Sequence, residues 1–157
     1  MPAPLSRPIL LATLVAGTLD IIFAMLLTLW FDRAIPGMLR YVASGPFPSA
    51  TEMGTAGALL GLLVHFVLMA IMAAVFMIAV SRRPDWIASP WAAALVYGLI
   101  TYVVMNWLVV PLRFDTPLPL KPMSIATQLF AHIVLVGLPF ALIAARYFKE
   151  ARAGTPA

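Results

Sequence analysis

Strongly polar side chains stand inside four long apolar stretches of this chain. Asp20 lies in the first stretch, His65 in the second, Asn106 in the third, and Gln128 with His132 in the fourth. Ionisable groups at membrane depth are costly, so they are rare and usually face a bundle interior, where they pair or line a path for ions or protons. These residues are therefore the candidates for a functional site.

Helical spacing relates the polar residues to small neighbours. Gly57, Gly61 and His65 are successive i+4 positions, and two glycines spaced in this way allow close helix approach, so His65 is expected to point into a helix–helix contact. Counted at about 1.5 Å per residue from each midpoint, the polar residues lie in the outer half of the bundle. We expect one polar cluster there, formed by Asp20, His65, Tyr102, Asn106, Gln128 and His132.

Three roles fit such a cluster. Polar side chains commonly join membrane helices by hydrogen bonds, so the cluster can be structural, with Asp20 accepting from a histidine. Asp20 and the histidines can instead form a protonatable or cation-binding site, because carboxylate and imidazole groups relay protons in transporters. The third role is a haem- or quinone-associated subunit, in which His65 and His132, at equal depth on helices that run in the same direction, ligate one haem b.

Motifs of the common enzyme classes are missing from the sequence. It contains no G-x-S-x-G, H-E-x-x-H, P-loop or dinucleotide-binding glycine pattern, and it has no cysteine. The pattern therefore predicts no catalytic residue and no metal site. It favours a non-enzymatic protein, with a proton- or cation-coupled carrier of a small solute as the main alternative.

The composition indicates a protein whose solvent is lipid. Hydrophobic residues make up 63% of the 157 residues and charged residues 10%, with a mean hydropathy of +1.01. The ten Lys and Arg residues sit at the ends of apolar stretches, where they meet phospholipid head groups. The expected partner is therefore the lipid bilayer and not nucleic acid. A homo-oligomer or a larger membrane complex is compatible with this pattern.

Each apolar stretch reaches the ~20 residues that a helix needs to cross a bilayer. Ser49 and Glu52 have the spacing of a capping box, which predicts a helix start near Ala50. The first stretch is longer than the ~7–15 apolar residues of a signal peptide, so we expect it to remain as a helix. The predicted fold is all-α: a single transmembrane domain, built as a four-helix bundle with helices at about 8–31, 50–80, 90–111 and 124–147.

The first and third connections have distinct predicted structures. In loop 1 (residues 32–49), apolar residues between 38 and 42 surround Arg40 and are followed by Gly45 and Pro46, which predicts a short interfacial helix. Closely spaced prolines in loop 3 predict an extended, polyproline-like strap, with Pro117, Pro119 and Pro122.

Two apolar motifs follow His65 in the chain. They are YGLITYVVMNWLVVPL and QLFAHIVLVGLP, the second of which ends at Pro139. Together with that histidine they resemble small bacterial inner-membrane proteins of the YagU type, over about half of the chain. That family has no established molecular function, so the resemblance implies multi-pass topology in a bacterial inner membrane rather than an activity.

Lysine and arginine residues predict the orientation of the bundle. Four spans put both termini and loop 2 on one side with six of these residues, and loops 1 and 3 on the other side with four. The positive-inside rule then places both termini in the cytoplasm. Reporter fusions at the C-terminus and in loop 2 should read as cytoplasmic, and fusions in loops 1 and 3 as periplasmic. The reverse pattern would invert the orientation and leave the four spans in place.

Overall fold

The computed structural model describes residues 5–116, 118 and 121–153, and within these residues it contains helices and turns but no strand. Four of the helices are 25 to 29 residues long and apolar enough to cross a membrane. The predicted all-α fold with four membrane-crossing helices is confirmed, and the short helix predicted in loop 1 is present. The elements are α1 (Ser6–Trp30), α2 (Ile35–Ser44), α3 (Gly54–Arg82), α4 (Pro90–Phe114) and α5 (Pro122–Lys149), after which helical turns continue to Ala153.

The start of α3 differs from the prediction. Pro48–Glu52 forms a 3-10 turn, and the α-helix begins only at Gly54, without a side-chain cap. Gly54 has a φ of +54°, a left-handed conformation that glycine adopts without steric strain. This break separates Ser49 from α3, so the predicted capping box does not form the helix start.

The bounds of α4 and α5 also differ from the prediction. Helix α4 extends three residues beyond its predicted end, to Phe114. Helix α5 begins at Pro122 instead of near Ser124, because a proline in the first turn lacks only an N–H that would have no helical partner. Pro122 therefore does not belong to an extended strap. The other two prolines of that prediction, Pro117 and Pro119, lie outside the described residues.

Helix α5 packs against α1, α3 and α4, and α1 also packs against α3. Small alanine side chains fill much of the buried space between them and let the helices approach closely. Tyr97 of α4 packs against Phe76 of α3, and its hydroxyl donates to the carbonyl of Met72 at 2.7 Å. The alanines of this core are Ala12, Ala16, Ala73, Ala94, Ala141 and Ala144.

The outer surface of the long helices is apolar. Leu10 and Leu26 on α1, Leu63 on α3 and Val96 on α4 are each more than half exposed. Large exposed apolar surface is unfavourable in water but not in hydrocarbon, which is as apolar as leucine. The surface therefore suits a bilayer and indicates a multi-pass membrane protein.

Glycines on α3 allow the short helix α2 to pack closely against it. A Cβ atom at Gly61 would collide with the backbone carbonyl of Leu39 in α2, and one at Gly57 would collide with the carbonyl of Ala50. The close approach predicted from this glycine pair is present. Its partner, however, is α2 with the turn that follows, and not a second membrane-crossing helix. Leu39 is buried there beside Ile21 of α1.

Gly61→Ala should lower the free energy of unfolding by about 1–3 kcal/mol, because the added methyl group meets backbone atoms of Leu39 that cannot move aside as a side-chain tip can. Gly37→Ala is the matched control, since a Cβ atom there meets nothing within 4 Å and alanine favours a helix. Thermal unfolding of both purified variants in detergent measures the difference. Equal midpoints would show that the bundle does not depend on this contact.

Candidate functional site

Asp20 and His65 face each other between α1 and α3. The Oδ2 atom of Asp20 lies 3.9 Å from Nδ1 of His65, and the two side chains are 22% and 10% exposed. The Nε2 atom of His65 lies 2.9 Å from the carbonyl oxygen of Gly17, about one turn before Asp20. One nitrogen of the imidazole therefore makes a hydrogen bond to α1, and the other lies within ion-pair distance of a carboxylate of α1. We call these two side chains the Asp20–His65 pair.

Hydrogen-bond chemistry assigns the proton of this imidazole. A backbone carbonyl can only accept, so Nε2 of His65 carries the hydrogen that it donates to Gly17. In a neutral imidazole the other nitrogen, Nδ1, then holds a lone pair toward Asp20. A lone pair and a carboxylate repel each other unless a proton stands between them. The two atoms lie within ion-pair distance but beyond hydrogen-bond distance, and a proton on either of them would remove this repulsion.

A second group of polar residues joins α4 to α5. The Nδ2 atom of Asn106 donates to the carbonyl of Tyr102 at 3.2 Å and lies 3.4 Å from Nε2 of His132. The Nδ1 atom of His132 lies 3.1 Å from Oγ1 of Thr101, whose hydroxyl donates to the carbonyl of Gly98 at 3.1 Å. We call Thr101, Asn106 and His132 the α4–α5 network.

One arrangement of protons satisfies the whole α4–α5 network. The Tyr102 carbonyl holds the amide of Asn106 with its NH2 group toward His132, so Nε2 of His132 accepts and Nδ1 donates to Thr101. His132 is neutral in this arrangement. A further proton on Nε2 would face the amide hydrogens of Asn106, so the network opposes it.

Tyr102 borders the α4–α5 network on α4. Its ring meets that of His132 edge-on, with centroids 6.1 Å apart, and its hydroxyl accepts a 3.2 Å hydrogen bond from Nε1 of Trp107. Sequence reasoning did not identify Thr101 or the Gly17 carbonyl. A helical threonine ordinarily bonds within its own turn, and a backbone carbonyl has no signature in the sequence.

The structure divides the predicted single cluster in two. Over the described residues, no hydrogen bond or ion pair links the Asp20–His65 pair to the α4–α5 network. Half-buried Gln128, one turn before His132, takes part in neither group. Asp20, His65, Asn106 and His132 lie on the loop 1 side of their helix midpoints, displaced by roughly 3–6 Å at 1.5 Å per residue, and Thr101 lies close to the midpoint of α4. Among the described residues, no three His, Cys, Asp or Glu side chains could hold a metal ion.

Two widened helical turns carry two of the three residues of the α4–α5 network. Val104–Val109 in α4 and Ala131–Gly137 in α5 are π-helical, and they contain Asn106 and His132. Each widened turn is followed by a proline. A proline removes one helical hydrogen bond and clashes with the carbonyl four residues earlier, and in both helices that carbonyl belongs to the widened turn. Such turns are frequent at functional sites. The prolines stand two residues beyond the two turns, at Pro111 and Pro139.

Comparison with protein-family models, with curated proteins and with solved structures finds no match to this chain. Function must therefore be inferred from the two polar groups. They differ in one respect: the α4–α5 network is satisfied with His132 neutral, whereas the Nδ1 atom of His65 makes no hydrogen bond to a described residue and lies 3.9 Å from the carboxylate of Asp20.

His65→Ala and His132→Ala should destabilise the protein additively, to within ~0.5 kcal/mol, because their side chains share no hydrogen bond. His132→Ala and Asn106→Ala should instead be non-additive by about 0.5–3 kcal/mol, because each removes the same contact. Thermal unfolding of the single and double variants in detergent measures both coupling energies. Strong coupling between the two histidines would restore the single cluster.

Proposed function

We propose that this chain is a non-enzymatic, multi-pass protein of the bacterial inner membrane in which the Asp20–His65 pair takes up and releases one proton, as a proton-coupled carrier of a small solute requires. Both termini lie in the cytoplasm, in accord with the distribution of Lys and Arg. The observation that supports the proposal is the approach of a carboxyl oxygen to an imidazole nitrogen whose ring partner already donates to Gly17.

A change in proton number changes the charge held between α1 and α3. With one proton, the pair is neutral or a balanced ion pair. With none it is a net anion, and with two it is a net cation. A net charge in hydrocarbon is far less favourable than a balanced pair, so titration favours movements that separate the helices or admit water.

The contact between α1 and α3 that proton binding would change is closely packed. A Cβ atom at Gly17 would lie 2.8 Å from the ring of Phe66 and 3.4 Å from Met69, so α1 and α3 approach closely beside the Asp20–His65 pair. Packed interfaces switch between discrete arrangements rather than deforming continuously. Proton binding at this contact can therefore be coupled to a movement of α1 against α3.

Haem ligation by His65 and His132 is supported less well by the geometry. Both ring nitrogens of His132 and Nε2 of His65 lie within 3.4 Å of protein partners, and Nδ1 of His65 lies 3.9 Å from Asp20. Axial ligation requires one nitrogen of each ring to leave its partner and point into an open slot. Within the proposal, His132 and Asn106 are structural and hold α4 against α5.

Asp20→Asn tests the proton site directly, because the amide keeps the shape of the side chain but cannot ionise. Infrared difference spectra of protein with ¹³C-labelled aspartate, in lipid nanodiscs, would be recorded from acidic to alkaline pH. A protonated carboxyl signal should appear as the pH falls, and the part of it contributed by Asp20 should be lost in Asp20→Asn. Asp32→Asn, which removes an exposed carboxylate beyond α1, should retain it. His65→Gln should change the pH at which the signal appears.

An Asp20 signal that does not respond to pH, or that His65→Gln leaves unchanged, would contradict proton sharing in the pair.

Transport is tested separately with the same variants in proteoliposomes that contain a pH-sensitive dye. A proton-coupled carrier changes the lumenal pH when its solute is added, and Asp20→Asn should abolish this response while Asp32→Asn retains it. Proton exchange without any solute-dependent pH change would rule out the carrier role.

A further inference from the structure

An apolar groove lies between α3 and α4, beneath the C-terminal end of α2. Its volume is about 650 Å³, within the range of ligand sites in proteins. Leu60, Val67 and Leu68 of α3 form one wall, and Met105 and Val109 of α4 form part of the other. Below the rim the lining is entirely apolar, so the groove suits a hydrocarbon chain.

The length of the groove along the helices matches the thickness of one leaflet of a bilayer. On α4 its lining runs from Phe114, the last residue of the helix, to Met105, a rise of about 14 Å. On α3 it ends at Leu68, the middle residue of Gly54–Arg82. Half of the hydrocarbon core is about 15 Å thick. This length matches an acyl chain that reaches from the head groups to the bilayer centre, whereas a membrane-crossing helix of a second copy would need a longer contact.

A single cationic side chain stands at the rim of the groove. Arg113 is the one charged residue of its lining, and among the described residues it has no carboxylate within ion-pair distance. Its Nη2 and Nε atoms donate to the carbonyls of Ser44 at 2.8 Å and Gly45 at 2.5 Å. A guanidinium group has five N–H hydrogens, so these two bonds leave others for an anionic ligand.

Helix α2 closes the top of the groove. Tyr41 of α2 stacks on Phe114 of α4, with ring centroids 4.4 Å apart and planes 23° apart. Burial raises the pKa of Tyr41 above its usual value, so the phenol remains neutral and adds no negative charge to the rim. On the side, the groove is open to the surroundings at Leu63 and Val67, which are 60% and 49% exposed.

We propose that this groove binds one acyl chain of an anionic phospholipid from the leaflet on the loop 1 side, with the lipid phosphate against Arg113. The apolar walls and one-leaflet length select the chain, and a guanidinium group pairs favourably with phosphate. The site is independent of the proton site, because the groove lining includes neither Asp20 nor His65. Failure of one proposal would leave the other unaffected.

Native mass spectrometry of the full chain, delipidated in mild detergent and titrated with phosphatidylglycerol or phosphatidylcholine, tests this site. The wild type should retain one phosphatidylglycerol in preference to phosphatidylcholine. Leu63→Trp, which fills the groove, should lose the bound lipid. Leu59→Trp is the matched control, because Leu59 is 65% exposed on the same helix but does not line the groove. Arg113→Gln should reduce the preference for the anionic lipid about 5-fold, as expected for one cation near a phosphate.

Size-exclusion chromatography and thermal unfolding would verify that each variant is folded, and Leu63→Trp tests the groove without altering the Arg113 contacts to α2. Equal retention of phosphatidylglycerol by Leu63→Trp and the wild type would overturn the proposal. Equal affinity of the wild type for both lipids would overturn the role of Arg113 and hence the anionic class. A wild-type dimer that Leu63→Trp dissociates would assign the groove to a second copy of the chain and would also overturn it.

Discussion

Hydrocarbon contains no water, so a polar group there must form its hydrogen bonds with other groups of the protein. Among the described residues, no fully buried side-chain nitrogen or oxygen lacks a hydrogen bond. Short side chains bond within their own helix, as Thr13 does with the carbonyl of Ile9. Longer ones reach a carbonyl on another helix: His65 bonds Gly17, and Tyr97 bonds α3. Each of these longer contacts fixes how two helices lie against each other.

The same constraint gives the two histidines different roles. His132 lies between a donor on Asn106 and an acceptor on Thr101, and the neutral ring satisfies both. His65 lies between two acceptors, the Gly17 carbonyl and the Asp20 carboxyl group, and a neutral ring can donate to only one of them. The proton needed at the second acceptor is the physical basis of the proposed exchange. Both residues are histidines, so residue type alone does not distinguish the two cases. The hydrogen-bond partners of each ring determine which nitrogen carries a proton.

The packing of α2 on α3 affects how the membrane-crossing helices can pack around it. Because α2 occupies the surface of Gly57 and Gly61, no membrane-crossing helix packs there. Toward the other end of the bundle, Tyr97 of α4 packs on Phe76 of α3. The apolar groove lies between α3 and α4, beneath α2. The glycine pair that predicts close helix packing therefore places α2 above the apolar groove bordered by Arg113.

The sequence by itself determined the four helices long and apolar enough to cross a membrane, the short helix in loop 1 and the positions of Asp20, His65, Asn106 and His132 along their helices, because hydropathy, helix length and helical rise are local properties. It did not determine which polar residues meet. Gln128 has the same spacing from His132 as Tyr102 has from Asn106, yet it joins neither polar group. Only the tertiary structure decided this, because the rotation of each helix about its axis is set by packing against its neighbours. The partners of both histidines include atoms that helical spacing does not reveal, a backbone carbonyl for one and a threonine hydroxyl for the other.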